Sequence, residues 1–290
     1  MSLGAYIEEQ AEPLLRWRPF PEIAAPLLLL APTLVFLVVF FIGPLLVNLQ
    51  ESLTGPAGFP SATQYAKIFT DAYYVAVLGQ TVLFGAVVTT ICLVFGYPLA
   101  FALARADGRW KAALLFVVVA PLLTNVVVRS YGWMIVLGGS GLINNMLRQL
   151  GFEQAELMYS WGAVTLAMAH VLLPFMVLSI ASVLETHDRT LDEAAATLGA
   201  NARQVFAKVI FPLSIEGVIT GCILVFTVSI GSFVTLLLLG KTSTMTFAVL
   251  IYQQLSVVSN WAFAAAMGMV LLTIVIAALW LQGRARPSRR

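Results

Sequence analysis

Apolar residues in this chain do not alternate with polar ones; they run in long blocks. Six blocks without Asp, Glu, Lys or Arg lie at 23–50, 72–104, 112–128, 157–184, 217–240 and 260–283. A helix needs about 20 such residues to cross the hydrocarbon core of a bilayer. In lipid every backbone polar group must be satisfied within the segment, so each block predicts a helix. Ala, Leu, Val and Phe dominate, and the ten-residue alternation of a membrane barrel is missing from the pattern. The expectation is an all-α integral membrane protein with six transmembrane helices.

The interruptions set the organisation. Residues 1–22 read as a polar cytoplasmic arm, and 23–50 as a first transmembrane helix bent by Pro26, Pro32 and Pro44. Gly55, Pro56, Gly58 and Pro60 mark turns in an outer loop. The segment 105–111, RADGRWK, predicts a tight inner return between the second and third helices. Residues 130–160 mix apolar positions with GGSG and NN, so they should stay outside or dip shallowly. A short outer helix is expected within 241–259. The five later helices thus make a core over 72–283, with an inner loop at 185–212 and a basic tail at 284–290.

Composition agrees: 60% of residues are hydrophobic, 10% are charged and the mean hydropathy is +0.93. A soluble domain carries about 25% charged residues. With the N-terminus in the cytoplasm, all Lys and Arg fall on inside segments except Lys67, Arg129, Arg148 and Lys241. That bias puts both termini and the 185–212 loop inside. The basic tail then reads as a topology anchor, and no nucleic-acid partner is expected. Four Glu (8, 9, 12 and 22) and a long apolar block argue against a cleaved signal. Cys92 and Cys222 sit mid-helix without metal or disulfide spacing.

The inner loop carries the chemistry of interest: TLDEAAATLGANARQVFAKVIFP, 190–212. Thr190 and Glu193 have the spacing of a capping box. Asp192 and Glu193 suit the positive end of a helix. The alanines 194–196 favour helix without bulk, Gly199 suits a left-handed C-terminal cap, and Asn201 can cap a second helix running to Pro212. Such a short helix is marginal alone, so it makes sense as a piece that docks on another protein.

Glu193-Ala194-Ala195, three residues, Gly199, nine residues and Val209-Ile210-Phe211-Pro212 resemble the EAA loop of binding-protein-dependent ABC importer permeases. That pattern reads EAA, three residues, G, nine residues, I-x-L-P; here Val209 and Phe211 replace Ile and Leu with apolar bulk retained. Segments 129–147 and 173–195 are similar to permeases of the spermidine/putrescine type, and the likeness runs from about 25 to 283. The resemblance implies a type I importer permease fold with no catalytic residues of its own. It implies a second permease subunit (a paralogue is favoured), two cytoplasmic ATPases that carry ATP and Mg, an external binding protein, and a bacterial inner membrane. It also implies that Asp192, Glu193, Ala194, Ala195, Leu198, Gly199, Asn201 and Pro212 couple the subunit to its ATPase. The implied solute is small and polar, with a polyamine favoured.

Other residues carry competing readings. Glu216 is the one carboxylate inside a hydrophobic segment and reads as pathway, gate or interfacial group. Asn125, Arg129, Tyr131 and Trp133 could line a vestibule or anchor the membrane interface. Ser229 and Ser232 could touch solute or simply let helices pack closely. Gly240-Lys241-Thr242 resembles the end of a phosphate loop, but Thr235 stands where the first Gly is needed. Two rival functions are a secondary transporter, which would want more embedded carboxylates, and an intramembrane protease using Ser140 and His170.

Overall fold

The computed structural model describes residues 24–55, 58–188, 190–241 and 244–285. The polar arm 1–22, the tail beyond Ala285, and Pro56, Arg189 and Thr242 lie outside the described residues. The described residues fall into two compact units, 24–50 and 51–285.

The first unit contains α1 (Ala24–Leu37), a π turn (Val38–Ile42) and the start of α2 (Gly43–Ser52). Pro32 is accommodated within α1, and the irregularity falls just before Pro44. Proline has no N–H, so the carbonyl four residues back loses its partner. Here Gly43 instead donates to Val38, five residues back, and the turn widens. The same solution recurs before Pro212, where Phe211 donates to Phe206. Large apolar side chains from Leu30 to Ile42 lie all round the helix, the pattern of a membrane span.

The second unit continues with α3 (Thr63–Thr70), α4 (Ala72–Arg105), α5 (Gly108–Leu123), α6 (Val126–Leu137), α7 (Leu142–Gln149), α8 (Trp161–Glu185), α9 (Thr190–Thr197), α10 (Ala202–Val205), a π turn (Phe206–Ile210), α11 (Phe211–Gly231), α12 (Val234–Leu239), α13 (Phe247–Ser256) and α14 (Trp261–Ala285). Among the described residues six helical stretches are long and apolar enough to cross a membrane: Leu30–Ser52, Ala72–Arg105, Val126–Gln149, Trp161–Glu185, Ala202–Gly231 and Trp261–Arg284.

Two expected blocks are corrected. The block 112–128 is not one helix: α5 stops at Leu123 and α6 restarts at Val126. Asn125 makes the restart, its Oδ1 accepting from the Val127 amide at 2.8 Å. Beyond it α6 ends at Leu137, and a glycine turn leads into the polar α7, LINNMLRQ, within the segment expected to stay outside or dip shallowly. The block 217–240 begins earlier and breaks: helix runs from Ala202 through the π turn to Gly231, then resumes at Val234.

The core is built from α4, α8 and α11, which pack on one another. Its buried residues include Val88, Cys92, Leu172, Met176, Ile180 and Val225. Lipid is as apolar as these side chains, so close approach and buried hydrogen bonds hold such helices together. Gly217 and Gly221 bring α11 against Ser179 and Met176 of α8. Tyr97 of α4 donates to Ser214 Oγ of α11 at 2.8 Å, and Ser214 donates in turn to the Phe211 carbonyl. A second cluster joins α3, α4, α13 and α14 around Ile68, Phe247, Phe263 and Met267. The amide of Phe247 there bonds buried Thr81 Oγ1 at 2.9 Å.

Candidate functional site: the capped helical stub

The Thr190–Glu193 capping box is replaced by a different cap. Asp188 Oδ1 takes the Thr190 amide at 3.0 Å, and Leu191 already donates to the Asp188 carbonyl. The helix thus starts earlier than the Thr-x-x-Glu spacing suggests. Bonds from the Thr190 amide, and then its hydroxyl, hold the Asp188 carboxyl below its ordinary 3.8. A depressed carboxyl stabilises the fold above that value and loses its effect as pH falls through the lowered one. The cap is therefore intact at neutral pH.

At the other end Gly199 has φ +88°, the left-handed conformation. Ala200 donates to Ala195 at 3.1 Å and Gly199 to Ala196 at 2.9 Å. These are the two bonds of a Schellman cap. Asn201 and Gln204 then form a reciprocal capping box, each side chain accepting from the other's amide at 2.9 Å. Two short helices are joined by a turn whose backbone groups are satisfied.

α9 has two faces. Leu191, Ala194 and Leu198, spaced three and four apart, are exposed and form one apolar stripe; Leu198 is 89% exposed. Glu193 is also exposed, as is Pro212. Asp192 and Ala195 turn towards the chain and are half-buried. The resemblance grouped Asp192 with the ATPase-coupling residues, and the helix dipole accounts for an acid in this first turn. Asp192 Oδ2 accepts from Arg105 Nη2 at 2.6 Å, and its Oδ1 meets His187 Nε2 at 2.9 Å. Lys111 and Glu185 pair beside them at 3.0 Å.

Sequence reasoning missed Asp188, Arg105 and His187. Asp188 was discoverable, as an Asp two residues before the expected N-cap, Thr190. Arg105 was not, because it lies 87 residues from its partner.

The pathway candidates are mostly occupied by local structure. Arg129 donates to the carbonyls of Pro121 and Thr124, at the end of α5. Helix-end carbonyls lack intrahelical partners, so this guanidinium staples the break. Trp133 packs edge-on against His170 at 5.6 Å, and Tyr131 is exposed. Ser229 is buried and donates to Phe226; Ser232 donates to Val228 at the end of α11. Glu216 is half-buried on α11. Ser140 lies in the turn before α7, where its carbonyl accepts from Asn145 Nδ2. The ring of His170 packs on Trp133, and among the described residues no hydrogen bond joins it to Ser140, as the dyad of a protease requires. Among the described residues no group of three or more His, Cys, Asp or Glu could hold a metal. A cavity of about 750 Å³, lined by Gln154, Glu156, Tyr159, Ser160 and Lys241, was not foreseen.

The fold and the capped stub define a membrane permease subunit of an ABC importer, a transport component and not an enzyme. Residues 93–290 match the family described as binding-protein-dependent transport system inner membrane component, and the chain belongs to it. It is 34% identical over 252 residues to the spermidine/putrescine transport system permease protein PotB of Haemophilus influenzae, covering 84% of this chain and 87% of that one. PotB of Escherichia coli is 36% identical over 208 residues, covering 71% and 75%. The molybdenum transport system permease protein ModB of Mycobacterium bovis is 34% identical over 222 residues, covering 76% and 81%. A crystal structure of a bacterial ABC transporter that imports alginate shares the fold, with a TM-score of 0.73, 18% identity, and coverage of 93% and 99%. The protein is a multi-pass inner-membrane protein that works with a binding protein.

Proposed function

We propose that this chain is one half of the translocation pathway of an ATP-driven polyamine importer, with both termini and the 185–212 loop in the cytoplasm. Its partners are a paralogous second permease, two cytoplasmic ATPases that bind ATP and Mg, and an external binding protein that delivers the solute. The observation that carries the coupling reading is the α9 stub: rigidly capped at both ends, with an apolar stripe turned outward. Glu193, Ala194, Leu198 and Gly199 would lie in the ATPase groove, with Asn201 and Pro212 setting the exit towards α11. ATP-driven closure of the ATPase pair would then move the stub and, through it, the membrane helices.

The substrate class rests on the PotB relatives. Arg129 supports it, since its charge is engaged by backbone carbonyls. A polycation is attracted by aromatic faces, and Tyr131 offers one near the break in the third apolar block. The experiment is Leu198→Asp in the complete importer. A charge in the centre of an apolar contact should lower recovery of the ATPase with the permease about tenfold or more. Spermidine uptake should fall with it. Undiminished recovery would sink the docking face. Binding-protein-dependent uptake of molybdate in place of spermidine would reassign the solute to the ModB kind.

A further inference from the structure

We propose that Arg105, His187 and Asp192 form a positioning clamp that ties the coupling stub to α4, so that force on the stub is delivered to α4 as well as to the helices covalently joined to it. The proposal rests on the coupling reading above. Covalently, the stub is attached only to α8 and to the 202–231 helix. A two-turn helix hanging between two connections can tilt without moving a third element.

The clamp removes that freedom. Asp192 reaches across 87 residues of sequence to Arg105, the last residue of α4. The side chains of Asp192 and His187 are 15% and 9% exposed and that of Arg105 is 45% exposed, so the carboxylate is shielded while the guanidinium reaches it from the solvent side. Exposed ion pairs contribute little. A shielded carboxylate with two donors is different, because removing one donor leaves a poorly solvated charge. The Arg105 guanidinium also lies 4.3 Å from the centre of the Phe101 ring, which fixes its direction.

The loop's other arm reaches the same face of α4. Phe206, where the π turn begins, packs edge-on against Tyr97 at 5.6 Å and against Phe101 at 6.2 Å. Phe211 lies against Tyr97 at 5.9 Å. Tyr97, Phe101 and Arg105 are spaced four apart and share one stripe of α4. The stub is thus held to that stripe through ions before Gly199 and through aromatic rings after it. A displacement of α9 must load α4, which packs in the core with α8 and α11.

The test uses the reconstituted importer with ATPases and binding protein, and reads solute moved per ATP hydrolysed. In Asp192→Asn and Arg105→Gln the ATPases should co-purify as in the wild type and hydrolysis should stay within about twofold. Solute per ATP should fall about tenfold, the size expected when a shielded charge loses its partner. The swap Arg105→Asp with Asp192→Arg should recover a large part of that loss, as a directly coupled pair predicts. Arg105→Lys, which keeps the charge and the fold, should give an intermediate ratio and serves if the neutral variants assemble poorly. An unchanged ratio in Asp192→Asn overturns the clamp. So does loss of ATPase co-purification in Asp192→Asn, which would place that carboxylate in the docking contact. A docking failure is separable: it appears as full ATPase recovery with Leu198→Asp and does not depend on the transport ratio of the clamp variants.

Discussion

Gly217→Val is expected to prevent the core helices from closing and to reduce recovery of assembled importer about tenfold, in line with the cost of forced overpacking. A Cβ built on Gly217 would lie 2.7 Å from the Ser179 carbonyl oxygen and 3.0 Å from Ile180 Cα. Both are backbone atoms of α8, so no side-chain rotation relieves the contact. Val183 Cγ2, also at 3.0 Å, closes the remaining direction. Overpacking a tight contact costs about 1–3 kcal/mol and sometimes more. Lipid offers no compensating hydrophobic drive, so close packing is what such an interface has to lose. Gly79 is the internal control: a Cβ there meets nothing within 4 Å. Gly79→Ala should be neutral or raise stability by up to about 1 kcal/mol. Thermal unfolding in detergent distinguishes the two. A Gly217→Val protein that assembles and melts like the wild type would refute the packing argument.

Gly199→Asp should leave the subunit folded and lower solute uptake about tenfold or more, as loss of an interface anchor does. Nothing lies within 4 Å of the added Cβ, so the substitution causes no clash inside the chain. The internal cost is conformational: φ is +88°, and a side chain in the left-handed conformation costs about 1–2 kcal/mol. The carboxylate would also stand at the negative end of α9, beside the exposed Leu198. Its effect on uptake must therefore come mainly from the docking face. Gly199→Asn, which tolerates the left-handed conformation without charge, should keep most activity. Uptake in Gly199→Asp equal to wild type at normal subunit levels would remove the docking role from this turn.

Much of the architecture was legible because lipid imposes a simple rule on sequence. Apolar blocks of sufficient length required no tertiary information. The spacing from Glu193 through Gly199 to Pro212 was equally local, and the caps at Gly199 and Asn201 follow from single-residue backbone preferences. The misreadings have local causes too. Thr190 and Asp188 both suit an N-cap, and spacing to Glu193 favoured Thr190, whereas the amide of Thr190 bonds to Asp188. The break at Thr124–Asn125 was hidden because both residues are uncharged within an apolar run. Hydropathy sees charge and bulk, not the direction of a carbonyl.

What the chain determined alone was its solvent, its count of apolar blocks, and a short capped helix on the polar side, since each depends on residues close together in sequence. What only the tertiary structure decided was which way those groups face. Asp192 turns inward because Arg105 and His187 meet it there, Arg129 is taken by the end of a broken helix, and Gly217 matters because Ser179 passes against it. Such contacts join residues tens of positions apart, and their geometry exists only once α4, α8 and α11 have packed.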